Sequence, residues 1–151
     1  MVLFMPRDAA SVPVSRQVLD SCLETLGVTA DTRTDIALAL GEACANVVQH
    51  AGPGVEYEVL ATARNGRCVI EVVSTVDRDE APMAAGAALG SPSAEPVPAS
   101  AEHGRGLKII DALTDNLQLT GDGRAGTTVH FEKALSWEPG AAGEHLFSAH
   151  C

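Results

Sequence analysis

Basic residues are scarce: Lys and Arg together number 10 against 20 Asp and Glu, a formal net charge of -10. No run of Lys or Arg offsets that deficit, which argues against a protein that holds a phosphate backbone by charge, so no direct nucleic-acid partner is expected. Long apolar runs are missing too. A membrane span needs about 20 consecutive apolar residues, and the opening MVLFMPRDAA lacks both a basic leader and a small-residue cleavage site. No membrane partner is therefore expected, and the chain reads as cytoplasmic. The cysteines Cys22, Cys44, Cys68 and Cys151 form no Cys-x-x-Cys pair, which removes the common zinc arrangements. Three of them read as small core residues and Cys151 as a tail thiol.

What is present suffices for one domain: 151 residues, 46% of them hydrophobic. Val2 to Met5 reads as a short edge strand. Ser11 then stands as an N-cap with Pro13 in the first turn of a helix running to Leu26, where Gly27 stops it. Val14, Val18, Leu19, Cys22, Leu23 and Leu26 form its apolar face, with Arg16, Gln17, Asp20 and Glu24 outward. Thr29 caps a longer helix from about Ala30 that ends before Gly52-Pro53-Gly54. Most of this helix is apolar or small, so Glu42, Asn46, Gln49 and His50 within it need an explanation.

VEYEVLATAR and RCVIEVVS flank Asn65-Gly66, a strong hairpin signal. A two-residue turn pairs Ala63 with Cys68, Ala61 with Ile70, Val59 with Val72 and Tyr57 with Ser74. One face is then nearly all apolar and carries Ser74 inward, while Glu56, Glu58, Thr62, Arg64, Arg67 and Glu71 lie on the other. From about Asp79 to Glu102 the chain is mostly Ala, Gly, Ser and Pro, too poor in bulky side chains to offset its ordering entropy, and a mobile loop is expected. GRGLKIIDALTD then reads as a glycine-rich entry into a helix, QLTGDGRAGTTVHFEK as a second hairpin, and SWEPGAAGEHLFSAHC as a loosely specified tail.

Glu42, Asn46 and His50 fall at i, i+4 and i+8, along one stripe of the long helix. A carboxylate, an amide oxygen and an imidazole in line suit a Mg-phosphate site, with an oxygen for a hard cation and a carboxylate to deprotonate a hydroxyl. The same stripe is also what a solvent-facing edge would show, with His50 near a helix C-terminus. Gly104-Arg105-Gly106 opening a helix makes a second candidate anion site, its alternative an ordinary loop-to-helix turn. Gly126-Thr127-Thr128 is a third candidate, or a plain hairpin exit.

Taken in order, E-A-x-x-N-x-x-x-H-A from Glu42 to Ala51, G-R-G-L from Gly104 to Leu107 and G-T-T-V from Gly126 to Val129 resemble the N-box, second glycine box and third box of the GHKL ATPases. The short length and the N-terminal helix are similar to the anti-sigma-factor serine kinases of that superfamily. The resemblance implies an α/β fold, a two-layer sandwich of the GHKL ATPase type with a mixed sheet and helices on one face. It places a histidine-kinase-like ATPase domain at 1–133, with an ATP lid at about 79–103 and a C-terminal tail at 134–151. It further implies ATP and Mg2+ as cofactors. Asn46 would ligate the metal, Glu42 would act as general base toward a partner's serine, and His50 would support the site. Gly104, Arg105, Gly106, Leu107 and Lys108 would hold phosphates, and Thr127 and Thr128 would line the base end.

The first glycine box departs from the family pattern. Ser74 and Val76 stand where the family has an Asp and a Gly, and that Asp accepts the adenine amino group. Losing a hydrogen bond to a charged group costs about 1.5 to 3 kcal/mol unless something replaces it. Asp77 is the candidate replacement. Two functions follow from the resemblance: an anti-sigma factor that phosphorylates a serine of an anti-anti-sigma (STAS-type) protein, or a nucleotide-independent binding module for a sigma factor or its antagonist. Either would use the first helix, with Arg16 as its partner-binding residue, and a homodimer is a further expectation.

Overall fold

The alternation read along the central hairpin is realised residue for residue. The structure is a computed structural model that describes residues 1–50, 56–74, 101–121 and 126–147, with only the backbone of residues 50 and 101–104. In it β2 (Glu56–Arg64) and β3 (Arg67–Ser74) pair antiparallel, with Tyr57 opposite Ser74, Val59 opposite Val72, Ala61 opposite Ile70 and Ala63 opposite Cys68. Asn65 and Gly66 make the turn with φ of 52° and 73°, the pair of positive values that a two-residue hairpin matching strand twist requires.

β1 (Val2–Pro6) adds to the free side of β2, β5 (Thr128–Ala134) pairs with β3, and β4 (Asp115–Thr120) pairs with β5. The sheet order is β1-β2-β3-β5-β4. The expected two-layer α/β sandwich is present, with one detail different: every pairing among the described strands is antiparallel, not mixed. The chain passes from β3 through α3 (Ala101–Leu113) to β4, and β3 and β4 do run the same way. β5 lies between them, so no parallel strands become neighbours.

α1 (Ser11–Leu26), α2 (Ala30–His50) and α3 cover one face of the sheet. Leu19 and Leu23 of α1, Ile36, Leu40, Ala43 and Val47 of α2, and Ile110 of α3 close over Tyr57, Val59, Ile70, Val72, Val129 and Phe131. Burial of that apolar surface is the main force joining the layers. The other face is charged: Arg67 bridges Asp115 and Glu132, and His130 lies between Glu71 and Glu132. No helix among the described residues is long and apolar enough to cross a membrane.

Two expectations about α1 are corrected. Ser11 does not cap it, because Ala10 occupies the N-cap position without a side-chain bond. The Ser11 hydroxyl instead donates to the Asp8 carbonyl at 2.7 Å and lies 2.6 Å from the Tyr57 hydroxyl, with Ser15 3.5 Å from the same oxygen. Those bonds let serines enter the core. The buried stripe of α1 is thus Ser11, Ser15, Leu19 and Leu23, while Val14 is 50% exposed and Cys22 is exposed rather than in the core.

Cys44 and Cys68 are buried as expected, and burial pushes their thiols up to about 12 and about 11. Only the thiolate reacts with alkylating agents. Iodoacetamide at pH 8 is therefore expected to modify Cys22 in the native protein and to reach Cys44 and Cys68 only after unfolding, as peptide mass spectrometry would report. Native labelling of Cys44 at the rate of Cys22 would contradict this packing.

The sequence suggested a loosely specified tail after Ala134; the residues of it that are described, up to Phe147, pack against the domain. Gly27 ends α1 with φ 90°, and the space where its Cβ would stand is occupied by Ala141. Thr29 and Glu138 then hydrogen-bond to the carbonyls of Ser136 and Gly27, and Val28 bridges Trp137. α4 (Ala142–Phe147) docks through Gly143, whose missing side chain makes room for the Trp137 ring, and the Phe147 carbonyl accepts the Gly66 N–H at 2.7 Å. Cys151 lies outside the described residues.

Candidate functional site

α2 is anchored by a buried stripe of Ile36, Ala39, Leu40, Ala43 and Val47, which turns Glu42 and Asn46, one turn apart, toward the half-buried edge shared with α3. At that edge α3 presents Gly106. A Cβ on Gly106 would stand 3.0 Å from Oε2 of Glu42, so the carboxylate occupies the space that a side chain would fill. Glu42 and Gly106, distant in the chain, thus face each other across the packing of α2 on α3.

Gly104, Arg105 and Gly106 do not open the helix as expected. α3 starts at Ala101, because Ala101 and Glu102 extend it toward the N-terminus, so the glycines lie within its first turns. Helical amides without a partner in the ladder are the first four, so the Gly106 N–H belongs to the helix and what Gly106 contributes is space. The same boundary overlaps the end of the expected lid at 103, while residues 79–100 lie outside the described residues. Leu107 is half-buried against the core, and Arg105 and Lys108 are exposed.

A second group forms where β3 ends. Ser74 lies on the covered face with Cys68, Ile70 and Val72, its N–H donates to the Thr127 carbonyl at 2.8 Å, and Thr128 pairs with Val73. Thr127 and Thr128 are half-buried. The register thus brings Ser74, Thr127 and Thr128 together. Ser74 is 2% exposed, yet its Oγ has no hydrogen-bond partner among the described residues. α2 packs over β3, so this group and the Glu42–Asn46 stripe share the covered side of the sheet. His50 ends α2, but its side chain, like the whole of Asp77, lies outside the described residues.

Arg16 is exposed on α1, with its stem lying across α2 at Gly41, where a Cβ would approach the Arg16 Cδ to 2.8 Å. Gly41 faces α1, whereas its neighbour Glu42 faces α3, so the structure packs Arg16 on α2 but does not bring it to the Glu42–Gly106 contact. Sequence reading assigned Arg16 to the partner surface but did not anticipate this packing on Gly41. A glycine inside an otherwise strong helix was the available signal, since it costs about 1 kcal/mol relative to alanine unless close packing requires it.

The observation that fits a ligand here is the orphaned buried hydroxyl at Ser74, while the missing side chain of Gly106 leaves room for the Glu42 carboxylate beside it. Asn46 offers an oxygen suited to a hard divalent cation. No curated protein matches the chain. The solved structure of the RsbU and RsbW domains of Rv1364c from Mycobacterium tuberculosis shares the fold, with a TM-score of 0.63 and 18% sequence identity. That match covers 91% of this chain and 33% of the other, so the chain spans about a third of the length of the protein it matches. Residues 5–133, which include Glu42, Asn46, Ser74, Gly106 and Thr127, match the sequence model of the histidine kinase-like ATPase domain, and the chain belongs to that family.

Proposed function

We propose that the chain is a partner-switching anti-sigma factor that binds ATP with Mg2+ and phosphorylates a serine of a STAS-type anti-anti-sigma protein. The observation that carries this reading is the Glu42 carboxylate seated against Gly106. That contact joins a candidate base to the element expected to hold phosphates. Membership of the ATPase family, the resemblance to the anti-sigma kinases and the fold shared with the mycobacterial RsbU and RsbW domains support it.

In this reading ATP, when bound, supplies the phosphoryl group. Phosphoryl transfer asks a protein mainly for positioning and electrostatic stabilisation. Glu42 would hold the position of a general base, taking the proton of a serine hydroxyl presented by the partner. Asn46 would offer one oxygen to the cation, since Mg2+ is usually held by one or two protein groups, the substrate phosphates and water. Ser74, Thr127 and Thr128 form the base end, and Arg16 on the exposed face of α1 meets the protein partner.

One observation favours the second reading, a nucleotide-independent binding module: the neutral Ser74 and Val76 replace the family's Asp and Gly. Calorimetry with Mg-ATP separates the two. The wild type is expected to bind at micromolar Kd, and Asn46→Ala to weaken binding at least about tenfold, the loss of one strong polar contact. A wild type that gives no binding would leave the interaction module as the function and remove the catalytic role of Glu42.

A further inference from the structure

Ser74 ends β3 with its side chain on the covered face, and its Oγ is buried without a partner among the described residues. Buried hydroxyls are nearly always paired, so one that is not has a ligand, a water or a functional reason behind it. Its described neighbours do not supply the bond: the Thr127 carbonyl accepts from the Ser74 N–H and not from Oγ, and the hydroxyl of Tyr57, opposite Ser74 in the ladder, is held by Ser11.

Resting on the nucleotide-binding reading above, we infer that Ser74 makes this site accept 6-oxopurine as well as 6-aminopurine nucleoside triphosphates. A carboxylate at this position only accepts hydrogen bonds, so it matches the amino group of adenine and repels the carbonyl oxygen of a 6-oxopurine. A serine hydroxyl rotates. It accepts from an amino group in one orientation and donates to a carbonyl oxygen in another, and a water bridging the gap left by the shorter side chain behaves in the same way. Strong discrimination requires that the wrong ligand leave a buried polar group unpaired or face a like charge. Ser74 imposes neither condition. Thr127 and Thr128 beside it carry hydroxyls of equally adaptable polarity.

The test is equilibrium calorimetry of the full chain with Mg-ATP and Mg-ITP, the latter chosen because inosine differs from adenosine at position 6 and N1 without adding a 2-amino group. The wild-type Kd values are expected to agree within about tenfold, since either purine finds a neutral partner. Ser74→Asp is expected to tighten ATP, weaken ITP and open their ratio beyond about a hundredfold. Ser74→Ala serves if the buried carboxylate prevents folding: it is expected to weaken both nucleotides by the same factor, and a loss confined to ATP would overturn the inference. A wild type that binds ATP but rejects ITP by more than about a hundredfold would also overturn it while leaving the nucleotide-binding reading intact. A wild type that binds neither nucleotide overturns both.

Discussion

Replacing Phe131 by alanine is expected to lower the unfolding free energy by about 3 to 5 kcal/mol, the range for deleting a ring from a well-packed core. Phe131 is 0% exposed and sits on β5, the strand flanked by β3 and β4, directly opposite Ile70. It belongs to the same cluster as Ile110 of α3 and Ile36 and Leu40 of α2, so helices close over it from above and strands hold it from both sides. Such a site collapses poorly, and the cavity adds to the lost transfer energy. A domain of this size has about 5 to 15 kcal/mol in all, so the variant keeps a fold of much reduced margin. Urea denaturation would report a lower midpoint at unchanged slope. Leu146→Ala, on a residue 61% exposed, is the control and is expected to change stability by no more than about 0.5 kcal/mol. A Phe131→Ala loss below about 1 kcal/mol would mean that β5 does not pack as an interior strand between β3 and β4.

The parts of this fold that were legible in the sequence are those set by local periodicity. Asn65-Gly66 between two alternating runs fixes both the turn and the register, and register alone turns Ser74 inward. The stripe of Glu42 and Asn46 was legible for the same kind of reason, four residues being close to one helical turn. What was not legible depended on contacts between distant segments. Ser11 and Ser15 are core residues because Tyr57 satisfies their hydroxyls, which no hydropathy pattern can anticipate, and their burial rotates Val14 and Cys22 out to solvent. The segment from Trp137 to Phe147 looked loose because it is rich in glycine and alanine. In the structure Gly143 is small because Trp137 and the Leu26 carbonyl lie where its side chain would be.

The same lesson applies to Gly106, whose low helix propensity suggested a loop entrance although it lies inside α3. Gly106→Ala is expected to separate stability from function. Alanine favours a helix interior by up to about 1 kcal/mol over glycine, and the nearest atom to the new methyl group is the mobile tip of Glu42 rather than backbone. Folding stability should therefore hold or rise slightly in thermal unfolding. The cost falls on the site, because a methyl carbon 3.0 Å from Oε2 makes the carboxylate yield by a few tenths of an ångström or change rotamer. A general base contributes typically 10²- to 10⁴-fold, and misplacement by about 1 Å costs on the order of a hundredfold. Transfer of labelled phosphate to a serine-bearing partner is thus expected to fall by about one to two orders of magnitude, with Mg-ATP affinity changed much less. Gly106→Leu extends the argument, since a larger side chain in the same space should also weaken nucleotide binding. Unchanged transfer in Gly106→Ala at unchanged stability would show that Glu42 does not need the position it holds, and the carboxylate would then be a structural neighbour of the glycine rather than the base.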